Sequence, residues 1–158
     1  MYMLCRRDAA ADCGRILRNS NGQWIGGFSR HLESYGAYLA KLWGVLEGLI
    51  LARERGITKL EVQVDSIIVV QTLNSTHISS TVGWRLIQEI WQLLELDCWE
   101  IRICSHSYHE ANACADALAN MGCDNEPGLC VYEQCTTSLS SLLLKDVMGI
   151  STPSVISV

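Results

Sequence analysis

A change of hydrophobic period between residues 37 and 65 limits the folds open to this chain of 158 residues. In the run AYLAKLWGVLEGLILARERG, 37–56, apolar residues recur at helical spacing and Gly56 marks the end of the helix. The run KLEVQVD that follows alternates apolar and polar residues, which predicts a strand that ends at Asp65. A helix that leads directly into a strand is typical of α/β domains.

The remaining segments extend this pattern on both sides. CGRILRNSNGQWIGGFS predicts a β-hairpin with its turn at Asn21 and Gly22. SIIVVQTLN predicts a short helix with Ser66 as N-cap, and GWRLIQEIWQLLELD a longer amphipathic one. WEIRICSH predicts a strand, and EANACADALANMG a last helix closed by Gly122. The order of these elements indicates an α/β fold in which helices flank a mixed sheet.

The pattern weakens after Asn125, so we expect a domain at 1–124 and a C-terminal extension at 125–158 that packs loosely. The chain is long enough to bury a core. Three tryptophans lie at helical spacing among apolar residues, and we expect them to pack in that core: Trp43, Trp84 and Trp91.

Composition excludes some classes of protein. With 49% hydrophobic and 18% charged residues, the chain is globular rather than disordered. The apolar runs are too short to span a membrane, and no signal peptide is evident, so we expect an intracellular protein, cytoplasmic or nuclear, with reduced thiols. A net charge of −5 argues against a general basic nucleic-acid binder but not against a nuclease whose carboxylates hold metal ions. The sequence does not indicate an oligomeric state.

Two acidic residues stand where active sites of α/β domains are found. Asp65 closes a predicted strand, and Asp116 lies on the helix that follows the loop from His106. Together the two carboxylates could face one Mg²⁺ ion, which prefers oxygen ligands. Taken singly, Asp65 is more often a turn or capping residue, and His106 more often a loop or packing residue.

Taken together, these runs resemble a known family. From CGRILRNSNGQWIGGFSR through AYLAKLWGVLEGL and LEVQVDS to SHSYHEANACADALANMG, 11–122, the chain is similar to type 1 ribonuclease H-like domains. Within that family it is similar to plant proteins whose domain is related to that of non-LTR retrotransposon reverse transcriptases. The resemblance implies a five-stranded mixed sheet flanked by helices and cleavage of the RNA strand of RNA–DNA hybrids.

The resemblance also implies residue roles. Active members hold two Mg²⁺ ions with four carboxylates, of which the third falls on Asp65 and the fourth on Asp116. The loop histidine that assists proton transfer falls on His106. Ser66 and Asn112 fall on positions that bind the hybrid substrate.

Two carboxylate positions depart from the family pattern. The family glutamate stands in a run like AELWG, and this chain has AKLWG, with Lys41 at the glutamate position. The first family aspartate belongs on an N-terminal strand, and MYMLC contains no acid. We therefore expect a first strand that is missing, through N-terminal truncation relative to the family, or rebuilt from unrelated residues.

These departures predict that Mg²⁺ binding is weak or absent and that hydrolysis is lost or severely impaired. The Lys41 ammonium would either pair with Asp65 or Asp116 in place of metal charge, or bend to solvent at the rim. Three functions stay open: the hybrid ribonuclease that the resemblance implies, a non-catalytic nucleic-acid-binding domain, and a protein-interaction module. Five arginines are candidates for a weak phosphate-contacting patch: Arg6, Arg7, Arg15, Arg18 and Arg30.

Overall fold

The computed structural model describes residues 2–6, 12–31, 36–77, 82–105, 114, 117–118, 121 and 128–148. Its centre is a six-stranded mixed sheet in the order β5-β4-β1-β2-β3-β6. β1 runs parallel to β4 and β4 parallel to β5, and the other neighbours are antiparallel. The strands are β1 Tyr2–Arg6, β2 Asp12–Arg18, β3 Trp24–His31, β4 Lys59–Val64, β5 Glu100–Ser105 and β6 Leu129–Tyr132.

The first strand is present. Tyr2–Arg6 lies between β2 and β4 in the middle of the sheet, paired with both neighbours. Of the two expectations for this strand, that it is missing is therefore wrong. The chain forms the strand from residues that include no acid. Because β1 pairs with both neighbours, neither β2 nor β4 has an unpaired edge at this point of the sheet.

The hairpin between β2 and β3 has a longer turn than expected. Asn19 and Gln23 close the loop, with Asn19 N–H donating to Gln23 C=O at 3.0 Å and Gly22 N–H to Asn19 C=O at 2.9 Å. Gly22 has a φ of 77°, which glycine adopts without the steric cost of a side chain. The three-residue loop Ser20–Gly22 thus replaces the two-residue turn predicted at Asn21 and Gly22.

Three helices follow the predicted spans closely: α1 Ala37–Glu54, α2 Ile67–Asn74 and α3 Trp84–Leu94. α1 ends where predicted, with Gly56 at a φ of 69°. Ser66 is confirmed as the N-cap of α2, since its hydroxyl accepts from Val69 N–H at 3.4 Å. Trp43 and Trp91 pack against the core, whereas Trp84 is 43% exposed at the start of α3. The prediction that Trp84 packs in the core is therefore wrong: at the start of α3 it is Gly83 that lies against Leu39 and Leu42 of α1.

The sheet is buried on both faces. Leu17 and Phe28 face a large core shared with α1, α2 and α3, whereas the neighbouring Ile16 faces a second cluster with Leu118 and Leu139. The four described residues of the predicted last helix are helical and belong to this second cluster or pack against it: Cys114, Ala117, Leu118 and Met121. Helices therefore cover the sheet on both sides, as the family pattern implies.

Part of the predicted C-terminal extension joins this domain. β6 pairs with β3, and α4, Thr137–Met148, places Leu139 in the second cluster with 1% exposure. Arg55 donates to Glu133 at 2.6 Å and to the Ile25 carbonyl at 3.1 Å, which ties the end of α1 to both β3 and the residue after β6. These contacts join β6 and α4 to the sheet. The division of the chain at residue 124 and the loose packing of the extension stay predictions. None of the described helices combines the length and apolar composition that a membrane crossing requires.

Candidate active site

The candidate site lies where the second turn of α1 passes the end of β4. The Lys41 neighbours on α1, Ala40 and Leu42, are buried, so the helix face that carries Lys41 is turned toward the sheet. β4 ends at the buried residue Val64, and Asp65 follows between the strand and α2. Both charged side chains therefore leave rigid elements at a point where these elements meet.

Lys41 and Asp65 form a largely buried ion pair. Lys41 Nζ lies 3.0 Å from Asp65 Oδ1, and the two side chains are 13% and 10% exposed. Asp65 Oδ1 is buried and accepts no hydrogen bond within the described part of the chain, so the contact is an ion pair without hydrogen-bond geometry. Of the two expectations for Lys41, the structure thus shows pairing with Asp65 rather than a side chain turned to solvent.

The strand register identifies the position next to Asp65 on β1. The last parallel pair joins Cys5 with Val64, and the next residues along the two strands are Arg6 and Asp65. Arg6 therefore stands next to Asp65 in the register, at a position where an acidic residue would place a second carboxylate near Asp65. The first carboxylate that the resemblance implies has no counterpart at this register position.

Three predicted site residues, His106, Asn112 and Asp116, lie outside the described residues. Their roles, including metal binding by Asp116, stay predictions. Ser66 is described, and its hydroxyl is engaged as the cap of α2. Its predicted contact with a hybrid substrate stays a prediction as well.

The described residues do not fit the magnesium that the resemblance implies. Mg²⁺ binds carboxylate oxygens at about 2.0–2.1 Å in octahedral geometry. Asp65 Oδ1 is covered by the Lys41 ammonium, so a divalent ion on that oxygen would stand directly beside a positive charge. The described ranges also contain no group of three or more histidine, cysteine or acidic side chains that could hold a metal ion.

A second charged group lies nearby and was not predicted. Arg30 on β3 forms an ion pair with Glu47 on α1, and its guanidinium lies 4.2 Å from the centre of the Trp43 ring. Burial raises the pKa of Glu47, and the Arg30 charge opposes part of that rise. The i,i+4 spacing of Trp43 and Glu47 on α1 is the local signal for this group, but the sequence does not indicate that Arg30 would face them.

The proposed arginine patch is only partly described. Arg18 is 1% exposed, so the prediction that it contacts phosphate at the surface is wrong. β2 is buried on both faces, which is why a residue that alternation assigns to the surface lies inside. Arg30 is engaged by Glu47 and Trp43, and the side chains of Arg6, Arg7 and Arg15 lie outside the described residues.

Comparison with known proteins gives one family and one fold. The family model described as reverse transcriptase-like matches residues 3–122. A protein of Arabidopsis thaliana named for ribonuclease H is 36% identical over 143 residues, which are 90% of this chain and 23% of that protein. The chain thus spans about a quarter of the length of this curated relative.

Solved structures resemble the chain in fold. Ribonuclease H1 of the halophilic archaeon Halobacterium salinarum matches with a TM-score of 0.64 and 22% identity, over 79% of this chain and 96% of that one. LC11 ribonuclease H1, solved in complex with an RNA/DNA hybrid, matches with a TM-score of 0.66 and 15% identity, over 78% and 94%. At these identities the likeness concerns the arrangement of the sheet and helices.

Proposed function

The chain belongs to the reverse transcriptase-like family and has a ribonuclease H-like fold, and from this premise we propose that it binds RNA–DNA hybrids without hydrolysing them efficiently. Hybrid binding is supported by the fold neighbour solved with an RNA/DNA hybrid and by the name of the Arabidopsis relative. Both concern those proteins, and the proposal extends their substrate class to this chain.

The impairment of hydrolysis rests on one observation, the Lys41–Asp65 ion pair at 3.0 Å. Magnesium, when bound in this family, supplies an activated water and neutralises the leaving oxygen. A divalent ion about 4 Å from the ammonium would be repelled by about 8 kcal/mol at an effective dielectric of about 20. Since about 1.4 kcal/mol of lost transition-state stabilisation is tenfold in rate, even a relaxed fraction of this repulsion would suppress two-metal hydrolysis.

In this proposal Asp65 keeps one role: it positions the positive charge of Lys41. Its carboxylate holds the Lys41 ammonium at the end of β4, beside the capped start of α2. If Asp116 and His106 face the same edge, as the resemblance implies, the site keeps part of the family's polar side chains. These would orient a hybrid backbone even where the metal ligands are incomplete.

The test is a parallel measurement of hybrid binding and hybrid cleavage. Fluorescence anisotropy with a labelled RNA–DNA hybrid should show binding that weakens as salt rises, because phosphate contacts release counterions. Gel analysis with Mg²⁺ or Mn²⁺ should show no cleavage by the wild type. Cleavage by the wild type that Asp65→Asn abolishes would contradict the proposal.

Two variants locate the defect. If Lys41→Glu cleaves the hybrid and the wild type does not, Lys41 is the cause of the lost activity, and the remaining acids suffice for hydrolysis. If Lys41→Glu does not cleave the hybrid, the lack of an acid at the position next to Asp65 on β1 is the more important defect. Lys59→Glu is the matched control, since it makes the same charge change at the other end of β4, where Lys59 is 70% exposed.

A protein-interaction module is the second candidate, and exposed apolar side chains favour it. Ile67 and Ile68, in the first turn of α2, are 63% and 67% exposed, and Trp84 is 43% exposed. Apolar groups at the surface beside a polar site are typical of protein contacts. A folded wild type that binds no hybrid even at low salt would favour this candidate over the first.

A further inference from the structure

The Lys41 ammonium has donors that no described residue accepts. Its contact with Asp65 Oδ1 at 3.0 Å is its only polar contact with described residues. An ammonium has three N–H donors, and since its contact with Asp65 lacks hydrogen-bond geometry, the described residues leave these donors to an outside ligand. The Lys41 side chain is 13% exposed, so it is not fully enclosed by the protein.

Asp65 holds this ammonium in place. The carboxylate is nine-tenths buried, and its Oδ1 accepts no hydrogen bond within the described ranges. A buried carboxylate without donors requires a cation, and here the cation is a side chain of the same chain. The cation that faces Asp65 is therefore supplied by the chain itself and does not depend on the concentration of a metal ion.

We propose that the Lys41 ammonium is a built-in cation that binds a backbone phosphate of nucleic acid, so that this site engages its ligand without a divalent ion. Lysine binds phosphate as a point charge, and a phosphate oxygen can accept the N–H groups that Asp65 leaves free. Asp65 acts as a positioning residue because it orients the ammonium without meeting the phosphate. The inference rests on the proposed function, since the phosphate is that of a bound hybrid.

The first experiment tests for a metal ion without nucleic acid. Electron paramagnetic resonance with Mn²⁺ should show the same number of bound ions for the wild type and for Asp65→Asn, because Lys41 already neutralises Asp65. A bound Mn²⁺ in the wild type that Asp65→Asn removes would overturn the inference. This readout does not depend on whether the domain binds hybrids.

The second experiment measures hybrid binding in EDTA and in Mg²⁺ at equal ionic strength. We expect the wild-type Kd to differ by less than about twofold between the two buffers. Lys41→Met should raise the Kd in EDTA about tenfold, the worth of a charged hydrogen bond. It should also lower the slope of log Kd against log salt by about 0.9, as expected for one lost phosphate contact.

Two further variants separate this role from a structural one. Lys41→Arg keeps the charge and should retain binding in EDTA, and Lys59→Met removes an exposed lysine at the far end of β4 and should keep the wild-type salt slope. Circular dichroism checks that each variant is folded. If Lys41→Met binds with the wild-type Kd and salt slope, the inference is wrong.

The outcomes distinguish this inference from the function on which it rests. Wild-type binding that disappears in EDTA and returns with Mg²⁺ upholds hybrid binding and overturns the built-in cation. A wild type that binds no hybrid in either buffer overturns both. Binding in EDTA that depends on Lys41 supports both.

Discussion

β4 has a charged pair at each end, and the two pairs differ in burial. At its start, Lys59 lies 3.4 Å from Glu100 of β5, and the side chains are 70% and 76% exposed. Just after its end, Asp65 lies 3.0 Å from Lys41 of α1, and the side chains are 10% and 13% exposed. The chemical groups are alike, but water screens the first pair far more than the second.

The difference shows what burial does to an ion pair. An exposed pair contributes little to stability, because solvent replaces each partner at small cost. A buried pair has already lost its hydration, so removal of one partner leaves a charge that nothing nearby neutralises. The Arg30–Glu47 pair lies between these limits, with side chains 26% and 12% exposed. The three pairs form a graded series in which burial is the variable.

The largest effect should come from Lys41→Ala. It leaves the Asp65 carboxylate buried without a cation, and we expect the free energy of unfolding to fall by about 3–5 kcal/mol. Urea denaturation followed by circular dichroism measures this fall. The double variant Lys41→Ala, Asp65→Asn should recover part of the loss, since the buried charge is then gone. A loss for Lys41→Ala no larger than that for Lys59→Ala would show that burial does not distinguish the stability contributions of the two pairs.

Arg30→Ala should have an intermediate effect. It removes the partner of Glu47 and the cation over the Trp43 ring, and we expect a loss of about 1–3 kcal/mol. Arg30→Lys is the control that keeps the charge but not the planar group, and it should lose less. If both variants keep wild-type stability in urea, the Arg30 group does not belong in the graded series.

The pH dependence of Glu47 sharpens the comparison further. Burial raises the pKa of Glu47, and Arg30 opposes only part of that rise. The folded state thus holds this proton more tightly than the unfolded state, so its stabilising effect is full below the unfolded pKa and is lost as pH rises through the folded pKa. The unfolding free energy of the wild type minus that of Glu47→Gln should therefore fall as the pH rises above the unfolded pKa of a glutamate, about 4.3. A difference that rises over this range would contradict burial as the main cause.

Lys59→Ala should have the smallest effect. Its pair with Glu100 is exposed at both side chains, and we expect a change below about 1 kcal/mol in urea denaturation. Adding salt should reduce even this change, whereas the loss caused by Lys41→Ala should depend less on salt because its pair is mostly buried. Equal salt sensitivity of the two variants would show that the Asp65 site is more open than its exposure indicates.

Local features of the fold were predictable because their signals are local. The spans of α1 and α2, the stop at Gly56, the cap at Ser66 and the end of β4 just before Asp65 follow from spacing and from single residue types. The outcomes that differed depend on contacts between distant segments. β1 lies in the middle of the sheet because it pairs with both β2 and β4. Arg18 is buried because helices cover both faces of β2.

The candidate site divides in the same way. The sequence by itself determined that a lysine stands at position 41, where the resemblance implies a glutamate, and that an acid follows β4. Only the tertiary structure decided that these two side chains meet at 3.0 Å with nine-tenths of the carboxylate side chain buried. The reason is physical: the strength of an ion pair depends on distance and on exclusion of water, and both arise from how α1 packs across the end of β4.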